Sequence, residues 1–406
     1  MMRIAGWIGL AAACAGLAAA IPAQGETVPT PPPVPPLTQH GGTWPSGHVQ
    51  GIAVDTEGGY IYYSFTNLLA KYDFSGRLIG TLAGWTGHLG DLDFNPADGK
   101  IYGSLEYKED EAFYIAVIDA GRIDRAEMTA SGDIFRTVYL PEVTADYAAD
   151  MDGDGRFDGN IGDTADHRYG SSGIDGVSFG PAFGRADGPR LLTVAYGIYG
   201  NTERADNDHQ VLLQYDVTGW DALARPLAEE APHRSGPATL AGKYFIRTGN
   251  TSYGVQTLAY DESLRRWFMG VYQGKKETFP NYLLFAVDAL EQPLLGDLVG
   301  VPAPDGAGGW EQGQLIALAD EGLADPASGV RGWNQKADVG FQPIGGGLAY
   351  LAVNSSGDGW QGADVTLMRW TGDAQAPFAP ATAADLSEQL PSCCNHATVR
   401  AAATTK

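Results

Sequence analysis

From about residue 47 to about residue 370 the chain repeats one pattern: short runs of apolar and aromatic residues, each closed by a turn rich in Gly and Asp. Residues 52–54, 60–65, 68–74 and 77–82 read as four strands, because apolar and polar positions alternate with a period of two over such short lengths. The unit returns at 92–94, 101–105, 113–118 and 135–140, and again around 191–215, 267–287 and 348–370. Each copy opens on a related block: HVQGIAVD at His48, HLGDLDFN at His88, YGSSGIDGVSFG at Tyr169, YGVQTLAYD at Tyr253 and ADVGFQPI near Asp338. Such repeats predict an all-β protein, a β-propeller with five clear units. The first strand of every blade lines the central channel, so the residues ahead of those strands crowd one rim. The inserts 141–168 and 291–337 show no further blade and are expected to be loops over the funnel, where function concentrates.

The flanks differ in composition. Residues 1–23 start with Met1-Met2-Arg3, continue as an Ala-rich apolar run and reach a small-residue site at 18–20, which predicts a signal peptide and a secreted or periplasmic protein. Residues 24–46 hold the Pro-rich run VPTPPPVPPL and are expected to form an extended linker. The propeller is assigned to 47–372, and the Ala-, Thr- and Ser-rich 373–406 to a flexible tail. After the leader no stretch is long and apolar enough to span a bilayer. Three cysteines, one in the leader and two adjacent at Cys393-Cys394, cannot build a disulfide framework. A formal net charge of −23 argues against nucleic acid as a partner. A monomer is expected.

The candidate chemistry sits ahead of the blade starts. His48 and His88 each follow a glycine and precede equivalent strands; Arg168, Tyr169 and Tyr253 stand at the next openings. We expect His48, His88, Arg168 and Tyr253 to converge as a catalytic set, with His167, Tyr169, Gln256 and Trp333 contacting substrate and Trp85 offering a further stacking face. A His-only metal on the axis is the competing reading of the same residues. No nucleophile elbow and no phosphate loop occur. Lys275-Lys276 is either a solvated turn or an anion contact. The blade starts carry no pair of carboxylates of the kind ordinary glycosidases use; Asp91 and Asp175 lie a few residues into their strands. Elimination from a uronic acid needs a cation on the carboxylate and a base for the adjacent C–H, which Arg with His or Tyr can supply. The segment DMDGDGRFD places Asp150, Asp152, Asp154 and Asp158 at the spacing of a Ca²⁺ loop, without the bidentate Glu that usually ends one; Ile161 stands there. A bound Ca²⁺ would be structural, pinning the insert that leads to His167 and Arg168.

Five blocks (HVQGIA with IYYSFT; GHLGDLDFNP with KIYGSLEYK; HRYGSSGIDGVSFGP; VAYGIYG with DNDHQVLLQYD; TGNTSYGVQTLAYD with KKETFPNYLLF) resemble a group of secreted bacterial and fungal propellers. The group looks related to enzymes acting on L-rhamnosyl-α-1,4-D-glucuronate ends of arabinogalactan, which include lyases and a rhamnosidase. The resemblance implies seven blades, a calcium ion, a His-centred rim site and a carbohydrate substrate. The expected activity is that of a polysaccharide lyase acting by β-elimination. The alternatives are a His-based glycoside hydrolase on the same scaffold and a non-catalytic glycan- or protein-binding propeller.

Overall fold

The structure is a computed structural model and describes residues 33–389 apart from 186 and 304–307. The expected signal peptide and Cys393-Cys394 lie outside the described residues. Five sheets, antiparallel but for two outer parallel pairings, form the blades of a β-propeller. Their innermost strands are Gly51–Asp55, His88–Asn95, Ser171–Gly180, Ser252–Asp261 and Phe341–Gly345. Each touches the next in that order, and the fifth returns to the first, so the ring closes. The seven blades implied by the resemblance are therefore replaced by five, the number of repeat units read along the chain.

Five hydrophobic clusters each fill the gap between two neighbouring blades. In blade one Ile61 and Tyr63 point into the cluster shared with blade five, while Tyr62 between them points into the cluster shared with blade two. Both faces of a blade are buried, which is why Tyr60–Phe65 is apolar at consecutive positions instead of alternating cleanly. The Asp that ends a strand caps the turn after it: Asp55 Oδ1 accepts from Gly58 N at 2.7 Å, Asp73 Oδ1 from Arg77 N at 3.0 Å and Asp261 Oδ1 from Ser263 N at 2.8 Å. Near the axis, Asp91 Oδ2 accepts from Val177 N (3.1 Å) and Leu258 N (2.9 Å), tying blade two to blades three and four. Asp93 Oδ2 accepts from Phe179 N at 2.7 Å.

Two expectations about the flanks are corrected. Within the expected linker, Thr38–Trp44 is a strand that pairs with Trp360–Trp370 and becomes the outer strand of blade five. The start of the chain thus fastens the last blade, a pairing across more than 300 residues that local pattern cannot reveal. In the expected tail, Phe378–Pro380 pairs with the same strand and Ala383–Gln389 is helical. The inserts are not merely loops. Pro141–Tyr147 is a helix, and Leu294–Pro302 with Trp310–Leu315 forms a hairpin that extends the blade-three sheet through a parallel pairing with Gly242–Arg247.

Candidate active site

The innermost strands of blades two, three and four carry β-bulges at matching places: between Leu89 and Leu92, between Ile174 and Val177, and between Val255 and Thr257. A bulge gives one strand an extra residue and re-aims its side chains. The residues in or beside these bulges include Asp91, Asp175 and Gln256. Asp91 turns to the ring's backbone amides, whereas Asp175 and Gln256 turn to a cavity of about 590 Å³ at one mouth of the axis.

Blades one, two, three and four all contribute to the cavity lining, with His48, Gln50, His88, Glu106, Lys108, Asp175, Tyr253, Gln256 and Tyr272 as its principal polar groups. The His48 ring is oriented from both sides: Nε2 lies 3.1 Å from Tyr272 Oη and Nδ1 3.4 Å from Gln50 Nε2. Burial holds the His48 pKa below its ordinary value, against the pull of Asp338. His88 Nδ1 stands 3.7 Å from Glu106 Oε2, beyond hydrogen-bond distance. Burial, followed by the Lys108 and His48 charges, draws the His88 pKa down to about 4. Both imidazoles are therefore neutral near pH 7. Burial, reinforced by the Asp175 and Asp338 charges, pushes the Tyr272 pKa up.

Lys108 Nζ lies 3.3 Å from Glu106 Oε2, and its side chain keeps 25 % of its surface open. Burial works against the ammonium, but the Glu106 and Asp175 carboxylates outweigh it and hold the Lys108 pKa above normal. Glu106 Oε1 accepts from Ile174 N at 2.6 Å. Gly173, at φ +117°, leaves the space that carboxylate fills, for a Cβ there would collide with Glu106 Oε1. Gln256 Nε2 donates to Asp175 Oδ2 (2.9 Å) and to the Tyr253 carbonyl (2.7 Å). Tyr253 itself has φ +64° and a 53 % exposed side chain. A non-glycine residue held left-handed at a cavity rim is local strain of the kind found at functional sites.

Of the expected site residues, His48, His88, Tyr253 and Gln256 share this cavity and the others do not. Arg168 does not line it; its Nη2 donates to Glu311 Oε2 at 2.6 Å, and Tyr169 Oη donates to Glu311 Oε1 at 2.7 Å. His167 is fully buried, with Nδ1 2.6 Å from the Tyr147 carbonyl and its ring packed against Tyr147, Phe157 and Tyr199. Trp333 lies in the core between blades four and five against Trp370, and Trp85 stacks on Phe135. Arg168 and Tyr169 precede the innermost strand of blade three, but their short 3₁₀ turn, left-handed at Tyr169, swings them toward Glu311 of the hairpin. Glu106, Lys108, Asp175 and Tyr272 were not expected there. Glu106, Lys108 and Tyr272 lie at the ends of second strands, opposite the rim residues: His88 is the pairing partner of Glu106, and Ser252 that of Tyr272. The antiparallel hairpin brings them back to the mouth, and counting back across each turn would have found them.

Asp150, Asp152 and Asp154 place carboxylate oxygens within 4.8 Å of one another, all exposed. Hard oxygen donors so grouped suit Ca²⁺. Asp158 does not join them; its Oδ2 accepts from Thr164 Oγ1. Buried Asp166 instead braces the loop, accepting from Met151 N (3.1 Å) and Asp158 N (2.9 Å). Lys276, of the basic turn, is occupied by Asp208 at 2.5 Å.

No protein-family model and no curated protein matches the chain. Among solved structures, that of a protein of unknown function from Bacteroides caccae is similar over 67 % of this chain and 87 % of that one, with 12 % identity and a TM-score of 0.26.

Proposed function

We propose that the protein is a carbohydrate-active lyase that binds a uronate residue in the axial cavity and cleaves the bond at its C4 by β-elimination. One observation carries this reading: two neutral imidazoles, His48 and His88, line the same cavity as the cation Lys108. Elimination makes the C5–H acidic only if the adjacent carboxylate is neutralised. Lys108 takes the role expected of Arg168. A neutral imidazole accepts the proton, His88 being the base and His48, held by Tyr272, its partner in proton transfer. Tyr253 meets the sugar at the rim. The proposal includes export of the chain and one Ca²⁺ held by Asp150, Asp152 and Asp154, which would pin the loop between the Pro141–Tyr147 helix and blade three.

The test is a screen of uronate-containing glycans read in two channels, ultraviolet absorbance and new reducing ends. Elimination leaves a C4=C5 double bond conjugated with the carboxylate, so both signals should rise together. Reducing ends without absorbance would assign hydrolysis, and binding without release a non-catalytic propeller.

A further inference from the structure

The cavity holds two buried carboxylates, Glu106 and Asp175, in unequal surroundings. Glu106 has the groups that favour an anion: the Ile174 N–H at 2.6 Å and the Lys108 ammonium at 3.3 Å. Asp175 has a single hydrogen bond among the described residues, from the Gln256 amide at 2.9 Å, and its other oxygen has none. That oxygen lies over Gly90, where a Cβ would stand 2.5 Å away, so the backbone has been cleared for it. Two carboxylates beside one ammonium resist ionising together, and the one with more hydrogen-bond and ion-pair partners ionises first. Burial and then the Glu106 charge push the Asp175 pKa well above the usual carboxylate range. Burial raises the Glu106 pKa too, but Lys108 and the Ile174 N–H pull it back, so of the two Asp175 is the carboxyl that keeps its proton to higher pH.

We propose that Asp175 is a further catalytic residue, the acid that gives its proton to the departing glycosidic oxygen. The proposal rests on the elimination reading above. His88 takes the proton from C5, and the C–H electron pair becomes the C4=C5 double bond. The C4–O bond breaks with its pair on oxygen, and that oxygen takes the Asp175 proton. Solvent then reprotonates Asp175 and relieves His88, so neither oxidant nor co-reactant is needed. Tyr253 is the competing donor, since it also lines the cavity and carries a hydroxyl.

The test compares two uronate substrates, one with a sugar at O4 and one with nitrophenol at O4, whose departure needs no proton. Asp175→Asn should lower kcat by about 100-fold or more on the first, the usual scale for a general acid, and far less on the second. Tyr253→Phe should change both alike. Should Asp175→Asn fail to fold, the wild-type protein still decides: raising the pH should slow the sugar substrate selectively as Asp175 loses its proton. Equal loss on both substrates in Asp175→Asn, a selective loss in Tyr253→Phe, or no selective slowing at high pH overturns the assignment. Release of the O4 sugar without a double bond, with the nitrophenyl ether left intact, would instead overturn elimination, since a hydrolase cuts at the sugar's anomeric carbon and cannot act on an aryl ether, and the assignment would fall with it. No turnover of either substrate by wild type overturns both.

Discussion

At the scale of single residues, function follows from which polar groups the cavity leaves uncharged. His88→Ala should reduce turnover by about 100-fold or more with the fold intact, as checked by product formation and near-ultraviolet circular dichroism. With its pKa drawn down to about 4, His88 stays a free base until the pH falls below that value. The acid limb of kcat/KM should therefore lie well under the ordinary histidine range, and a limb near 6.5 would remove His88 as the base. The same sign governs stability at buried His209, also drawn down to about 4 by burial and the Arg247 charge. As pH falls from 6.5 toward 4 the unfolded chain takes up that proton first, so this contribution is present above pH 6.5 and lost on acidification. Urea titrations should show His209→Gln with a shallower loss of stability over that window than wild type. Arg168→Ala should leave activity per folded molecule unchanged and cost roughly 1–3 kcal/mol of stability, because it leaves the partly buried Glu311 carboxylate without its cation, with the Tyr169 hydroxyl still bound.

At the scale of the element, the blade openings were legible because each announces itself by a glycine and a short apolar run, and His48, His88 and Tyr253 follow directly from them. Glu106, Lys108 and Tyr272 were hidden because they belong to the far ends of second strands, where nothing marks them as catalytic until hairpin register is known. Arg168 misled because its partner is far off in sequence: Glu311, on the hairpin that extends blade three, accepts from both Arg168 and Tyr169, whereas the Tyr253-Gly254 opening, with the same positive φ values, stays at the cavity. The strand Thr38–Trp44 was obscured by the prolines before it. Deleting residues 38–44 would bare the edge of Trp360–Trp370 and open the ring's fastening. A fall in Tm on the order of 10 °C is expected, since each kcal/mol lost lowers Tm by roughly 2–4 °C in domains of 150–250 residues. In the acidic loop, excess chelator should lower Tm, because a ligand bound only to the native state stabilises it by about 2.7 kcal/mol at 100 times its Kd. Asp152→Ala should abolish the difference between chelated and calcium-loaded protein; an unchanged wild-type Tm would count against calcium.

At the scale of the whole molecule, five blades close around an axis near which Asp91 and Asp93 bind backbone amides of neighbouring blades, and the polar cavity opens at one mouth of the ring. Five units could be counted along the chain because every blade buries both faces and so repeats its apolar runs, while the paired strands Leu294–Pro302 and Trp310–Leu315 join an existing sheet and add no blade. The protein carries a net charge of −23, yet at that mouth it sets the Lys108 ammonium, paired with Glu106, beside neutral imidazoles. A local cation in an acidic shell should make capture of an anionic sugar depend on the free carboxylate, with the methyl ester of the same uronate binding more weakly in a calorimetric comparison. The most direct measurement of the central claim is the mass of the fragments released from a uronate-containing glycan by wild-type protein and by His88→Ala. The account predicts unsaturated uronate ends, each lighter by one water than a hydrolytic end, from the wild type and almost none from the variant. Fully hydrated ends, or unsaturated ends undiminished in His88→Ala, would contradict it.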